Sequence, residues 1–420
     1  MEIQMISRII IIDNDSYPQG GTSQVAYKSA VALSERGLEV YYVCADREPN
    51  PELLNSGIKV IPFFSLGITA KENRFRAACN GIWDARMEHL VAGFLKQFDP
   101  KVSIIHIHGY LHCFSPSLLR ACTNSGIPTA LTLHDYFILC PCGGLYNFRE
   151  GKICTLRPMS AACMACNCDK RSYLQKLWRL LRQRGIVKYA RDNKKLSLIY
   201  ISDFSYSKMR MYLGEQHQIF YVRNPYDVGD GKPVQAEENR DYVFLGRLSK
   251  EKGADLFCEA FSQLLGENRV RGRAVIVGDG EQREKLEQQY PAIRFLGWKS
   301  HEELGDVFAS ARALVFPSRW YEGAPLTPIE FMSHGIPCIL SDSNAGQDYI
   351  TAGEDGLVFR SEDLADMKEK ILLAENDAFW AEICRKLRSG FRGEVYSAKA
   401  HVERLLEVYE QILEKAQTRT

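Results

Sequence analysis

Along this chain, short apolar runs alternate with longer stretches in which apolar positions recur every three to four residues. That alternation is the βαβ rhythm of a parallel sheet. Strands buried on both faces read as continuous apolar runs, and the crossover helices between them read as amphipathic. Ile9–Asp13 predicts a first strand, and Gly20-Gly21-Thr22 follows it. Thr22 is the expected N-cap of a helix that buries Val25, Ala26, Ser29, Ala32 and Leu33 and closes at Gly37. Further strands are predicted at Val40–Cys44, Lys59–Pro62, Ser103–Ile107, Thr129–Leu133 and Leu198–Ser202. A second series runs through Tyr242–Gly246, Ala274–Val277, Ile293–Leu296, Ala313–Pro317 and Cys338–Ser341. Between the two series, residues 224–240 are rich in Pro, Gly, Asp and Asn and predict a linker. Two doubly wound α/β domains result, 1–223 and 241–396, with a final helix in 397–420. In such open sheets ligands bind outside the carboxyl ends of the strands.

The length of 420 residues suits two cores rather than one. Lys plus Arg (53) nearly cancels Asp plus Glu (52), so no global field argues for a nucleic-acid partner. No stretch approaches the ~18 apolar residues that span a bilayer. Ile9 to Ile12 is too short for a signal-peptide core. A cytoplasmic, reducing setting is therefore expected, in which the thirteen cysteines are thiols or metal ligands rather than a disulfide framework.

Candidate chemistry concentrates in the second series. Gly246-Arg247 closes a strand, and Lys252-Gly253 follows at a helix start. A Gly-rich turn, a helix N-terminus and two cations suit a diphosphate; a solvated basic turn is the plainer reading. Glu322 and Glu330 lie eight residues apart, with Gly323-Ala324-Pro325 between them exposing amides at a helix start. Were the whole stretch helical, the pair would be ~12 Å apart. That exceeds the ~5–9.5 Å of carboxylates sharing one glycosidic bond and suits the two ends of an extended ligand. Gly278-Asp279-Gly280 lacks the third glycine of a dinucleotide fingerprint, which would fall at Arg283, so no nicotinamide site is read.

Six motifs in order resemble the family 4 glycosyltransferases, also called group 1, over nearly the whole chain. They are Gly20-Gly21, His134-Asp135, the turn 246–253, Val-Gly-Asp-Gly-Glu at 277–281, Phe-Leu-Gly-Trp at 295–298, and the Glu322 to Glu330 segment running into Gly335-Ile336-Pro337. The resemblance implies a GT-B fold, with two Rossmann-like domains facing each other across a cleft. It also implies retaining transfer of a sugar from a nucleotide-sugar donor, with no catalytic metal. Arg247 and Lys252 would hold the donor diphosphate, Glu330 the ribose hydroxyls, and Glu322 would lie by the transferred sugar. Gly20 and Gly21 would let the first loop approach phosphate, His134 would sit at the reacting centre, and the backbone near Trp298 would meet the base. Gly278, Gly323, Ala324, Pro325, Leu326 and Thr327 complete the implied donor set. Asn344-Ala345-Gly346-Gln347-Asp348 stands where many relatives carry Gly-Gly-x-Pro-Glu, so no role carries over to that turn. His106 and His108 flank the end of another strand, and His108 could reach the cleft.

Two segments lie outside these motifs. Cys140, Cys142, Cys154, Cys163, Cys166 and Cys168 crowd residues 140–168. That density fits structural zinc on Cys140, Cys154, Cys163 and Cys168, with Cys142 or Cys166 as alternatives, and it equally fits buried free thiols. Residues 170–195 hold ten Lys or Arg and one acid, Asp192. Leu174, Leu177, Trp178 and Leu181 share one helical face there, either docked on the domain or laid on a membrane surface. The expected protein is a cytoplasmic enzyme that glycosylates a glycan or polyprenyl-diphosphate-linked acceptor in surface polysaccharide biosynthesis, with a peripheral position on the inner face of the cell membrane if the basic helix lies on lipid rather than on the domain. A nucleotide-sugar epimerase of the same fold and a non-catalytic scaffold are the alternatives.

Overall fold

The computed structural model describes residues 6–18, 20–65, 67–68, 73–226 and 233–418. The chain divides into two compact units. One contains Met1–Leu145, Thr155–Pro225 and Val395–Thr420; the other contains Tyr146–Cys154 and Tyr226–Glu394. Residues 227–232 of the expected linker lie outside the described residues.

The first unit holds a parallel seven-stranded sheet. Its strands, numbered along the chain, are β1 (Arg8–Ile12), β2 (Glu39–Cys44), β3 (Lys59–Pro62), β4 (Ser103–Ile107), β5 (Thr129–Leu133), β8 (Leu196–Tyr200) and β9 (Ile219–Tyr221). Their order is β3-β2-β1-β4-β5-β8-β9. Ser103–Ile107 and Thr129–Leu133 are buried throughout, as strands covered on both faces should be. The chain order reverses between β1 and β4, which makes their carboxyl ends the binding crevice of this unit.

The second unit has β6 (Tyr146–Asn147) and β7 (Lys152–Ile153) as an antiparallel hairpin. Its main sheet is parallel, in the order β12-β11-β10-β13-β14-β15. These strands are β10 (Asp241–Leu245), β11 (Arg273–Val277), β12 (Arg294–Gly297), β13 (Ala311–Phe316), β14 (Cys338–Ser341) and β15 (Leu357–Phe359). Here the reversal lies between β10 and β13.

Several expectations need correction. The first helix spans Gly21–Glu35 and Gly20 is its N-cap, so Thr22 sits inside the first turn. Gly20 at φ 95° supplies the turn without a side-chain cap. Ala32 is only half-buried, and Ala30 takes its place in the core. The strand expected to end at Ser202 stops at Tyr200, because Ser202 caps the next helix through the amide of Ser205. The final helix, Ala398–Gln417, belongs to the first unit and buries Val402, Leu405, Val408, Tyr409, Ile412 and Leu413. Residues 146–154, expected within the first domain, group with the second unit instead.

The basic helix spans Tyr173–Ile186 and turns the expected face outward. Leu174 is 77% exposed, and Leu177 and Leu181 are exposed too, while Lys176 and Arg182 are fully buried. The buried cations have partners that a hydrophobic pattern does not show. Arg182 Nη1 donates to the Leu111 carbonyl oxygen, and its guanidinium lies over the rings of Phe137 and Trp178. Trp178 alone of the four docks as expected, donating from Nε1 to the Ala78 carbonyl oxygen.

Candidate active site

In the first unit the turn after β1 and the ends of β4 and β5 enclose a cavity of about 320 Å³. Gly20, Gly21, Thr22, His108, His134 and Asp135 are among its lining residues. The structure thus brings Gly20, Gly21 and His134 together around one cavity. His134 Nε2 is 3.0 Å from His108 Nδ1, with the rings stacked. Burial, with the nearby His401, lowers the His134 pKa to about 3, so the ring is neutral at physiological pH. Asp13, fully buried at the end of β1, is pushed up to about 7 by burial, against hydrogen bonds from Ser23 and from the Asp15 and Gly109 amides.

In the second unit the site residues come from the turns after β10 and β13. Gly253 has φ 74°, and a Cβ there would lie 2.1 Å from the Pro317 carbonyl oxygen. A Cβ on Gly278 would lie 1.9 Å from the Gly246 carbonyl oxygen. Glycine is required at both positions so that the three strand-end turns can pack together. The turn delivers Lys252 Nζ to Glu322 Oε1 at 2.5 Å. Glu322 Oε1 also accepts from Ser318 Oγ and Trp320 Nε1, each at 2.6 Å. Burial alone would raise this carboxylate's pKa; Lys252 and the two further donors outweigh it, and the net shift is downward. Arg247 is more open, its side chain 61% exposed with Nη2 3.0 Å from Glu251 Oε1.

Only Glu330 of the two glutamates is helical. The helix spans Leu326–Ser333, with Pro325 at its N-cap and no side-chain cap bond there, so amides at its start are open to an anion. Glu322 lies in the preceding turn, and the ~12 Å helical separation does not apply. The Glu322 backbone bridges to Asn344, and the Ala345 amide donates to the Glu322 carbonyl oxygen at 3.2 Å. The divergent Asn344–Asp348 turn therefore braces the glutamate. Glu330 Oε1 is 2.9 Å from His301 Nδ1. Burial raises the Glu330 pKa, against His301 and Tyr226. Trp298 is 71% exposed, and Ala324, Leu326 and Thr327 are half-buried at the helix entry.

Sequence reasoning missed Ser318, Trp320, His301 and Tyr226. Trp320 adds its ring face 5.5 Å from Lys252 Nζ. Its place two residues before Glu322 was the one available signal.

Among the described residues no group of three or more His, Cys, Asp or Glu is arranged to hold a metal ion. Cys142 Sγ lies 3.8 Å from Cys168 Sγ, and buried Lys176 Nζ lies 3.1 Å from Cys168 Sγ and 3.8 Å from Cys163 Sγ. The Cys142 thiol and the Lys176 ammonium, against burial, hold the Cys168 thiol down at about 5. Cys140 is buried in the same unit, whereas Cys154 belongs to the other.

Two parallel α/β units, each with its candidate site at the sheet's topological switch point, define a GT-B-class protein. The fold matches, at 14% identity and a TM-score of 0.66, an Anabaena protein crystallised with UDP, over 96% of this chain and 100% of that one. It also matches sucrose-phosphate synthase from Thermosynechococcus elongatus, at 18% identity and a TM-score of 0.68, over 97% and 100% of the two chains. Residues 19–191 match the family described as Glycosyltransferase Family 4, and residues 230–392 the one described as Glycosyl transferases group 1. The chain belongs to this glycosyltransferase family. Similar curated proteins include a UDP-Gal:α-D-GlcNAc-diphosphoundecaprenol α-1,3-galactosyltransferase of Escherichia coli, 28% identical over 36% of this chain and 41% of that one. A lipopolysaccharide core mannosyltransferase of Rhizobium meliloti is 33% identical over 29% of this chain and 37% of that one. The aligned stretches thus span less than half of each of these two relatives.

Proposed function

We propose that this protein is a retaining glycosyltransferase that moves a sugar from a nucleotide-sugar donor to a glycan or polyprenyl-diphosphate-linked acceptor in surface polysaccharide assembly. The observation that carries the reading is Lys252 held against Glu322 at the switch point of the second unit, next to an uncapped helix N-terminus. Lys252, Arg247 and those amides form a cationic seat for a diphosphate leaving group, and charge building on that group is what such an array stabilises. Glu330, nearly buried and reached by His301, suits vicinal ribose hydroxyls. Glu322 has one oxygen fixed by three donors and offers the other to the transferred sugar. No protein nucleophile is invoked; a departing phosphate oxygen takes the acceptor proton on the face that the sugar leaves. Among the relatives' names one carries UDP-galactose and others GDP-mannose, so UDP- and GDP-sugars are the first donors to try.

Among the described residues no helix is long and apolar enough to cross a membrane. A lipid-linked acceptor nevertheless calls for contact with the bilayer, and the basic helix supplies a surface. Leu174, Leu177 and Leu181 are exposed, with Lys170, Arg171, Arg184 and Lys188 exposed on the same segment. Helix Arg74–Ile82 packs beside it and presents Phe75, 83% exposed, between exposed Arg74 and Arg76. Apolar side chains ringed by cations match an anionic lipid surface, and this match supports a peripheral position on the cytoplasmic face.

The test is transfer from a panel of UDP- and GDP-sugars to polyprenyl-diphosphate-linked saccharides, with the anomeric configuration of the product read by NMR. A product of inverted configuration would overturn the retaining assignment. Donor conversion that needs no acceptor and yields a new nucleotide sugar would make the protein an epimerase. No binding of any nucleotide sugar would leave a scaffold.

A further inference from the structure

His134 is backed by a wall of histidines that the proposed chemistry does not itself use. His108 follows β4, is 4% exposed, and its amide donates to the Ile12 carbonyl oxygen. Its Nδ1 meets His134 Nε2 at 3.0 Å. Behind it, the His106 ring centroid lies 4.0 Å from that of His108. The nitrogens of His106 are both taken, Nε2 by Thr132 Oγ1 at 2.7 Å and Nδ1 by the Tyr409 hydroxyl at 2.5 Å. Tyr409 sits on the final helix, so the carboxyl-terminal segment of the chain braces the back of the wall.

The contact between His108 and His134 holds one proton. Burial pushes both rings' pKa values down, so both are neutral, and one nitrogen must donate while the other accepts. His108 Nε2 decides which. It is buried and, among the described residues, has no hydrogen-bond partner. If His134 donated, His108 would carry its own proton on Nε2, as a buried and unpaired N–H. Orphaned buried N–H groups are the rarer kind of unsatisfied group. The proton therefore belongs on His108 Nδ1, pointing at the lone pair of His134 Nε2. His134, neutral and accepting at Nε2, then carries its own proton on Nδ1.

We propose that His108 is a positioning residue that locks His134 as the Nδ1–H tautomer, so that His134 presents a fixed hydrogen-bond donor to an oxygen of the ligand in the first-unit cavity. A neutral donor of this kind suits a hydroxyl or phosphate oxygen and cannot act as a general base. The inference about the tautomer stands on the histidine geometry; its consequence for turnover rests on the glycosyltransferase reading.

Long-range ¹H–¹⁵N spectra of imidazole-labelled protein test it. Wild type is expected to show His134 protonated on Nδ1 at neutral pH. His108→Phe keeps an aromatic ring in the stack but removes the donor, and His134 is then expected to populate both tautomers. His108→Asn returns an amide N–H near the lost Nδ1 and is expected to restore the wild-type signature. In a transfer assay His108→Phe should lower kcat about tenfold, with donor KM within about twofold of wild type and partial rescue in His108→Asn. A wild-type His134 protonated on Nε2, or an unchanged His134 signature in His108→Phe, would overturn the proposal. If wild type shows the Nδ1–H signature yet transfers no sugar, the glycosyltransferase reading fails and the positioning role stands.

Discussion

Lys252 Nζ and Glu322 Oε1 stand 2.5 Å apart with their side chains 21% and 11% exposed, so the cation proposed to hold a diphosphate is already paired with a carboxylate of its own unit. A donor phosphate must therefore share or displace that bond. Glu322→Gln keeps the shape and frees Lys252. It is expected to bind nucleoside diphosphate at least as tightly as wild type while turning over at least tenfold more slowly. Calorimetry alongside rate measurement checks both; a loss of nucleotide affinity would mean that Glu322 belongs to the nucleotide subsite.

Lys252→Met should cost both binding and stability. It leaves a nearly buried carboxylate with only Ser318 and Trp320 as side-chain donors, a loss of about 2 kcal/mol in denaturant unfolding. The double variant Lys252→Met/Glu322→Gln should recover most of that stability and none of the diphosphate affinity. Equal unfolding midpoints for wild type and Lys252→Met would contradict the burial argument.

Much of the fold was legible because buried parallel strands write themselves as apolar runs. Lys59–Pro62, Ser103–Ile107, Thr129–Leu133 and Cys338–Ser341 appear residue for residue. β9, β15 and the β6–β7 hairpin are two or three residues long, too short to show a period. Helix Tyr173–Ile186 misled for a different reason. Its burial is set by what Lys176 and Arg182 can reach, thiols and a carbonyl oxygen, and face-counting is blind to such partners. At the site, Arg247 with Lys252 and Glu322 with Glu330 form two local pairs that a linear pattern shows, whereas the Lys252–Glu322 contact spans 70 residues and is not written in either. His301 and Tyr226 beside Glu330 come from separate loops, and no linear pattern ties them to it.

The exposed leucines make a membrane prediction that spares the fold. Leu174→Ser/Leu177→Ser/Leu181→Ser changes side chains already facing outward, so the unfolding midpoint should move little. Binding to vesicles containing anionic lipid should fall at least tenfold, and raised salt should weaken what binding wild type shows. Vesicle binding equal to wild type would move the membrane contact elsewhere.

Asp13 predicts a pH signature. Its folded pKa, about 7, lies above the ordinary 3.8, so its contribution is full below about pH 4 and is lost as pH rises through 7. Asp13→Asn removes that loss. Relative to wild type, the variant should gain on the order of 4 kcal/mol of stability between pH 4 and pH 8. Urea titrations of both proteins at each pH give the difference directly; a pH-independent difference would mean that Asp13 is ionised at no cost.

The cysteine segment gives the last prediction. Zinc was one expectation, yet the structure sets a buried ammonium among the thiols, with Lys176 Nζ 3.1 Å from Cys168 Sγ. A buried cation needs an anion, and the Cys168 thiol, held low, supplies one. An ammonium in that position also opposes a metal cation at the same sulfurs. Protein purified under reducing conditions, without a metal-affinity tag, is accordingly expected to carry well under one zinc per chain. Lys176→Met keeps the length of the side chain and removes its charge. It should cost about 2 kcal/mol of stability, since the sulfur keeps the neutral Cys142 thiol but loses its cation, and must take up a proton or stay charged without a counter-ion. The variant's Cys168 should also react more slowly with a small alkylating reagent below neutral pH, because less of it is thiolate. Metal analysis of wild type is the deciding measurement. Close to one zinc per chain, with chelation lowering the melting temperature, would make the thiols a metal clip and leave Lys176 as a donor to zinc-bound sulfur.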